Sequence, residues 1–346
     1  MNASALSPGA PGAPGALRPR RRWLSRRWAP YVFVSPFFIL FAAFGLYPLL
    51  FSGVVSLFRW DAAAGLAAME WEGLGNYAYV LQLGDLELTQ VFTAAFWQDL
   101  VTRDFWRALW NTLWIGVVAG LPQHLIAIPL AVFIHTRVGR LRNPLLAIYF
   151  LPFITNIVAI ALVFEALFSP NFGMINAVLT TLGNWQLGGV APLSAIFPTE
   201  PVDWNRPDKV PWVVAFVVWW RYVGWNVVLY LAALQTLPRD IFEAARVDGI
   251  SAWQQFRHLT LPLLRPMMFF AVTLTLIGSL QLFEEPYVLT RTTGGTGQVA
   301  ETSAMYLLKT AMTDGDFGTA SAIAWLLFAL VALLTWVNHR VFKPKD

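Results

Sequence analysis

The chain has 346 residues, of which 57% are hydrophobic and only 13% are charged, and its formal net charge at pH 7 is +4. This composition excludes an ordinary water-soluble domain and predicts an integral membrane protein that crosses the bilayer several times. Cysteine is absent, which excludes disulfides, thiolate chemistry and cysteine-ligated metal sites.

Residues 1–30 are rich in proline, glycine and alanine and then in arginine, which predicts a disordered, basic cytoplasmic tail. Residues 31–346 are predicted to form one transmembrane domain, because six apolar runs each reach the roughly 20 residues that cross a bilayer. The first run is too long for the core of a signal peptide, so we expect an uncleaved helix. The six runs are 31–58, 108–134, 143–168, 212–235, 266–288 and 318–340.

The charges predict on which side of the membrane each loop lies. Most lysines and arginines fall in the tail, in 135–142, in 236–265 and after residue 338, whereas most acids fall in the other loops. This bias predicts that both termini are cytoplasmic, and it argues against nucleic acid as a partner. The two long outer loops, 59–107 and 169–211, could bind an external partner. The alternative is that they are connecting loops whose tryptophans lie at the membrane interface.

The polar cytoplasmic segment 237–266 is predicted to form two short helices at an angle. Asp248-Gly249 signals a turn between them, and Ser251 can cap the second helix. Neither helix is long enough to cross the membrane, so the segment is expected to dock onto a partner. The residues assigned to this coupling surface are Glu243, Ala244, Ala245, Asp248, Gly249, Trp253 and Phe256.

This spacing, from Glu243-Ala244-Ala245 through Gly249 to Leu261-Pro262, resembles the EAA loop of ABC-importer permeases. Leu259 stands where isoleucine is usual in that family, and Asp248 before the glycine is similar to the sugar-importer branch, of maltose and glycerol-phosphate type. Three further stretches also look similar to that branch. They are Asn111-Thr112, Thr293-Gly294-Gly295 and Gly318-Thr319-Ala320-Ser321-Ala322.

The resemblance covers residues 31–343 and leaves 81–106 without a clear counterpart. It implies an all-α, six-span permease bundle of the type I importer class, in which the loop inserts into a cytoplasmic ATPase. The implied partners are a second homologous permease, two ATPase subunits, an extracytoplasmic solute-binding protein, membrane lipid and a sugar substrate. The implied mechanism is alternating access.

The chain itself is not expected to be an enzyme. Gly294-Gly295-Thr296-Gly297 lacks the lysine and serine or threonine that complete a phosphate-binding loop, so ATP hydrolysis is assigned to a partner and no cofactor is expected. The four histidines lack ligand spacing, so no metal site is predicted either. The motif Gly116–Gly120 is typical of a helix-packing face.

Two sets of residues are candidates for the substrate pathway. Thr275, Gly278, Gln281 and Glu285 would lie along one side of a continuous fifth helix, which either lines a pore or packs another helix. The second set surrounds the fourth span, where aromatic rings and amides suit a sugar and interfacial tryptophan is the alternative. Its members are Trp220, Arg221, Trp225, Asn226 and, on the third span, Glu165.

Arg221 and Glu165 are charges within predicted spans, so we expect them to pair with each other or to face water. A structural salt bridge and a substrate contact both remain open. These charges also allow a different class of function, a secondary transporter driven by an ion gradient, although the coupling spacing argues against it. A membrane receptor or scaffold, an exporter, and an importer of glycerol phosphate or other polyols are further alternatives.

Overall fold

The computed structural model describes residues 28–82, 93–186 and 192–342. Nearly all of the predicted tail, and part of the stretch 81–106, lie outside the described residues. Two compact units are present, Met1–Ser52 and Gly53–Asp346.

The described residues are mostly helical. The helices in chain order are α1 (Ala29–Phe41), α2 (Tyr47–Val55), α3 (Gly75–Leu81), α4 (Ala94–Thr102), α5 (Asp104–Arg137), α6 (Arg142–Ile154), α7 (Ile157–Leu167), α8 (Met174–Gly183), α9 (Val210–Thr236), α10 (Arg239–Val247), α11 (Ala252–Gln255), α12 (Leu261–Leu263), α13 (Arg265–Leu280), α14 (Glu284–Leu289), α15 (Ser303–Met312) and α16 (Phe317–Phe342). A short antiparallel pair, β1 (Phe58–Arg59) and β2 (Glu70–Trp71), lies in the first long loop.

The first predicted span is present as Ala29–Val55, with one widened turn. Ala42–Leu46 form a π-helical turn between α1 and α2, in which the Tyr47 N–H donates to the Ala42 carbonyl. Pro48 follows directly. Its ring lacks an N–H and clashes with the carbonyl four residues earlier, so a regular α turn is disfavoured at this point.

The two longest helices, α5 and α9, form the packed centre of the second unit. Ala127 and Ala131 of α5 belong to one buried cluster with Tyr230 and Leu231 of α9. Small alanines allow the two backbones to approach closely, which is the usual way in which membrane helices associate. Helix α6 packs on α9, and α13 packs on both α5 and α9, so this pair forms the frame of the second unit.

The third predicted span, 143–168, is not one helix. It consists of α6 and α7, which meet at 94°. Asn156 caps α7, because its side-chain oxygen accepts hydrogen bonds from the first backbone N–H groups of that helix. Pro152 lies just before the break and weakens the last turn of α6. The proline and the cap together end one helix and begin another.

The fifth predicted span, 266–288, is also broken. Helix α13 ends at Leu280, Phe283 has a non-helical backbone (φ −133°, ψ −55°), and α14 follows. Glu284 and Glu285 occupy the first turn of α14, where carboxylates favour the start of a helix. The expected stripe along one continuous helix therefore ends at α13.

Residues 237–266, called the coupling segment below, fold largely as predicted. Gly249 has φ +74°, which glycine adopts without strain, and it separates α10 from the next helix. Ser251 and Gln254 form a capping box at the start of α11. Phe256–Thr260 then form a second π-helical turn, and the chain bends by 68° into α13.

Four helical runs are long and apolar enough to cross a membrane, and two bent pairs raise this number to as many as six among the described residues. This agrees with the predicted all-helical, multi-span fold.

Candidate functional site

A cavity of about 110 Å³ lies between α5, α6, α9 and α13. We call it the inter-helix cavity. It brings together four of the predicted pathway residues, which are Trp225, Asn226, Thr275 and Gly278. The other residues around it are Gln123, Phe153, Val218, Tyr222, Leu274, Ser279 and Leu282.

Aromatic rings form one wall of the inter-helix cavity. The rings of Trp225 and Phe153 are stacked, with centroids 4.6 Å apart and planes inclined by 19°. Tyr222 meets Phe153 edge-on at 5.9 Å, and Phe150 extends the stack behind Trp225 at 6.1 Å. Because the rings support each other, they form a rigid apolar surface.

Hydrogen-bonded side chains lie in the cavity lining and next to it. The Asn226 amide donates to Gln123 Oε1 at 3.1 Å, and both side chains are buried. His124 bridges two other helices, since its Nδ1 lies 2.8 Å from the Tyr230 hydroxyl and its Nε2 lies 3.0 Å from Thr275 Oγ1. Gln123 and His124 were not predicted as site residues.

The face of α13 that carries Thr275 also packs on α5. A Cβ atom added at Gly116 would lie 2.8 Å from the Ser279 side chain, and one at Gly120 would lie 3.0 Å from Thr275. The glycine motif is thus a packing face, as predicted. This side of α13 packs on α5 and also borders the cavity. Helix packing and pore lining, the two alternatives given for it, are therefore not exclusive. Gln281 and Glu285 do not line the cavity.

Arg221 does not pair with Glu165, so the mutual pair, one of the two expected arrangements, is not found. Arg221 Nη1 lies 2.7 Å from Glu285 Oε1, and both side chains are almost fully buried. Glu165 pairs instead with Arg291. The cause is the break after α13, because α14, which contacts both α7 and α9, brings Glu285 to Arg221, and the turn after α14 brings Arg291 to Glu165.

The remaining pathway candidates lie away from the inter-helix cavity. Trp220 meets Phe164 edge-on at 5.1 Å, on the side of α9 that faces α7. Glu165 and its partner Arg291 border a second, larger cavity of about 650 Å³, together with Phe168 and Trp204. The structure therefore brings four of the predicted pathway residues to the inter-helix cavity and Glu165 to the second cavity, whereas Trp220, Arg221, Gln281 and Glu285 line neither.

Three stretches were singled out for their resemblance to a known family, and two of them meet in the structure. The Asn111 amide donates to the carbonyls of Gln298 and Glu301 at 2.9 and 3.1 Å. Gly294 has φ +73°, and a Cβ atom there would lie 2.7 Å from the backbone of Glu301. This loop is therefore held tightly against the start of the second span.

The coupling segment presents apolar side chains that no described residue covers. Val247 is 88% exposed and Trp253 is 66% exposed. The Trp253 ring stacks on Phe256, with centroids 5.6 Å apart, and Phe256 packs against the buried cluster of α5 and α9. Ala245 is buried whereas Glu243 and Ala244 are exposed, so only one of the two predicted alanines faces inward.

No group of three or more histidine, aspartate or glutamate side chains among the described residues is arranged to hold a metal ion.

Residues 127–345 match the family described as the binding-protein-dependent transport system inner membrane component. The chain is 30% identical to the lactose transport system permease protein LacF of Rhizobium radiobacter, covering 91% of this chain and 94% of that protein. It is 31% identical to the probable ABC transporter permease protein YurN of Bacillus subtilis, with 91% and 96% covered. It is 27% identical to the arabinooligosaccharides transport system permease protein AraP of the same organism, with 93% and 91% covered.

Two solved structures share the fold. One is a crystal structure of a bacterial ABC transporter involved in the import of the acidic polysaccharide alginate, with a TM-score of 0.69 and 20% identity over 92% of this chain and 96% of that one. The other is a bacterial alginate ABC transporter in complex with an alginate pentasaccharide-bound periplasmic protein, with a TM-score of 0.64 and 21% identity over 93% and 97%.

Proposed function

Because the chain belongs to the family of binding-protein-dependent transport system inner membrane components, we propose that it forms one half of the membrane pathway of an ATP-driven carbohydrate importer. Its family, which the EAA-like spacing predicted, is confirmed. The chain is thus a multi-pass permease subunit of a bacterial plasma membrane. The substrate, the coupling to ATP and the partners are the proposed parts.

The coupling segment is the observation that carries the ATP-driven part of the proposal. Exposed apolar side chains, led by Val247 and Trp253, lie next to the exposed carboxylate of Glu243. Aromatic and aliphatic side chains that are free in one chain are typical anchors of a protein interface. The stacked pair of Trp253 and Phe256 connects this surface to the cluster between α5 and α9. Movement of the coupling segment can therefore be transmitted to these spans.

The inter-helix cavity supports carbohydrate as the substrate class. Sugars present apolar CH faces, which stack on rings such as Trp225, and hydroxyls, which need donors and acceptors such as the Gln123–Asn226 pair. None of the described residues that line the cavity is arginine or lysine, which favours an uncharged sugar over a phosphate ester. The relatives described above include permeases of lactose and arabinooligosaccharide systems.

The size of the cavity supports a second permease chain. Its volume of about 110 Å³ is well below the roughly 300–1,000 Å³ of a ligand pocket, so this chain supplies one wall of the site. A homologous chain would complete it. In the proposed cycle, two ATPase subunits close on ATP and move both coupling segments, a solute-binding protein delivers the sugar to the opened cavity, and hydrolysis resets the bundle.

Co-purification tests the assembly. The tagged chain should be extracted in a gentle detergent from its native membrane, and the accompanying proteins identified. We expect an ATPase and a second six-span permease. If the chain emerges alone while the ATPase is expressed and intact, the proposal fails, and uptake should then be tested against an ion gradient.

Uptake of a panel of labelled sugars by the reconstituted complex tests the pathway. We expect Trp225→Ala to raise KM for the transported sugar severalfold, since the sugar would lose the ring on which its apolar CH face stacks. Trp212→Ala is the matched control, because Trp212 is an exposed tryptophan of the same helix outside the cavity. Equal KM values in both variants would contradict the assignment.

A further inference from the structure

The second long loop contains a short helix, α8, that is apolar over most of its surface and exposes a large apolar side. The exposed positions within α8 fall on one helical side, on which Met174 and Val178 are the large apolar members. Trp185, just beyond the end of the helix, is 49% exposed. Phe172, before the helix, is 85% exposed, and Ile196, beyond it, is 75% exposed. These five side chains are called the apolar loop surface below.

The inward side of α8 is fixed by hydrogen bonds. Asn176 is only 4% exposed. Its amide donates to the Val202 carbonyl at 2.8 Å, and its oxygen accepts from the Trp204 indole at 2.9 Å. A Cβ atom at Gly183 would overlap the carbonyl of Pro198, so the helix lies directly on this backbone. These contacts fix the orientation of α8, and its exposed apolar side faces away from the described part of the chain.

A water-exposed helix carries mostly polar residues on its outward side, whereas Thr181 is the one polar residue on the outward side of α8. The composition agrees. Between Glu165 and Glu200 the chain carries no Asp, Glu, Lys or Arg, whereas the first long loop contains the ion pairs Arg59–Glu72 and Arg103–Asp99. A surface that meets water or the polar rim of a soluble partner carries charges, and this one carries none.

The apolar loop surface also adjoins a second exposed apolar surface. Helix α8 contacts α7, and α7 itself exposes large apolar side chains, Val158, Leu162 and Val163. We propose that the apolar loop surface lies in the headgroup and upper acyl region of the adjacent lipid leaflet, with α8 parallel to the membrane plane. Tryptophan is enriched at this depth, which fits Trp185.

The absence of cations on α8 specifies the kind of lipid contact. Many in-plane helices are attracted to anionic headgroups by lysine and arginine. Here the attraction comes from apolar side chains alone, so the depth of α8 should be the same in zwitterionic and in anionic bilayers. The proposal depends only on the membrane-spanning fold, so it can be tested independently of the proposed carbohydrate substrate.

Spin labels measure depth directly, and the natural chain has no cysteine, so single-cysteine variants need no background changes. Val178→Cys and Ile196→Cys place labels on the apolar loop surface. Leu162→Cys on α7 is the lipid-exposed control, and Glu200→Cys is the control in the same loop just beyond the uncharged stretch. Each full-length variant is placed in phospholipid nanodiscs, and its label is exposed to oxygen and to a water-soluble nickel complex.

We expect the labels at 178 and 196 to collide more with oxygen than with nickel, as at 162, and the label at 200 to show the opposite order. Preferential collision with nickel at 178 and 196 would mean that the loop lies in water and would overturn the proposal. Protection from both reagents would also overturn it, because protein would then cover the surface. A shift in depth between zwitterionic and anionic nanodiscs would refute the purely apolar contact.

Discussion

At the scale of single residues, the buried ion pair of Arg221 and Glu285 has a large energetic consequence. Both side chains are almost fully buried and their charged atoms are 2.7 Å apart. Removing one partner of a buried pair costs about 3–5 kcal/mol, because the other charge is left without compensation. The pair joins α9 to α14, so it holds the break after α13 in a defined place.

Charge reversal tests this pairing. Arg221→Glu and Glu285→Arg should each lower the midpoint of thermal unfolding in detergent, and the double reversal should restore much of the loss. The combination of Arg221→Glu with Glu165→Arg serves as the control, since Glu165 pairs elsewhere. Recovery in the control, or strictly additive losses in the double reversal, would contradict the observed pairing.

Glu301, which lies outside the membrane spans, should make the stability of the folded protein depend on pH. Burial raises the pKa of its carboxyl, against the opposing effects of Lys309 and Arg107. The folded state therefore binds this proton more tightly than the unfolded state. Stability should decrease as pH rises from the ordinary value of 4.5 through the raised pKa.

Glu301→Gln should remove this part of the pH dependence when unfolding midpoints are measured across that range. Glu72→Gln is the control with the opposite sign, because a hydrogen bond from Arg59 lowers the pKa of Glu72, whose contribution is lost as pH falls. An unchanged slope in Glu301→Gln would show that this carboxyl does not take up a proton on folding.

The sequence predicted some of the residues at the inter-helix cavity, but it did not predict which side chains contact each other. The aromatic and amide residues around Trp225 and Asn226 were identified by their chemistry, and the structure places both at the inter-helix cavity. Gln123 and His124 were missed because their partners lie more than one hundred positions away. Such contacts depend on how helices are rotated against each other, which hydropathy does not specify.

At the scale of elements, long apolar runs predicted the spans, and local polar signals determined where they break. Asn156 after Pro152 is a helix cap in the sequence, and Glu284-Glu285 is a helix start, but each lies inside an apolar run. An average over some twenty residues hides one cap or one charge pair. The bends at α7 and α14 were therefore missed although their signals are present.

The crossing of α6 and α9 depends on one glycine. A Cβ atom at Gly224 would overlap the Tyr149 carbonyl, so the two helices touch backbone to backbone. Gly224→Ala should destabilise the protein by roughly 1–3 kcal/mol or more through overpacking. Gly278→Ala, where an added Cβ atom meets nothing within 4 Å, should be neutral or stabilising. Equal unfolding midpoints in detergent for the two variants would contradict this crossing.

At the scale of the whole molecule, the coupling segment is predicted to connect the bundle to an ATPase. Gly249→Asn should retain ATP-driven uptake, because asparagine tolerates the positive φ of this turn, whereas Gly249→Pro should abolish it. Both proteins should still insert into the membrane, which is checked by their amount in purified membranes. Full uptake by the proline variant would refute the coupling role.

Val247→Asp tests the surface of the same segment without changing its backbone. Val247 is almost fully exposed, so the fold should be unaffected, while an apolar contact with a partner would be lost. We expect less ATPase to co-purify. Val341→Asp, at an exposed valine near the end of α16, is the matched control.

The two π-helical turns have a further consequence, which concerns angle. Each ends one residue before an X-Pro peptide bond, at Tyr47-Pro48 and at Leu261-Pro262. A π turn holds one extra residue, and one residue corresponds to about 100° of rotation about a helix axis. Pro262 therefore determines the direction in which the Trp253 side chain points around the helix axis, relative to α12. Pro262 and Trp253 need not be in contact for this. Different residues therefore determine the chemistry of the exposed surface of the coupling segment and the direction in which that surface points, and each can change while the other stays fixed.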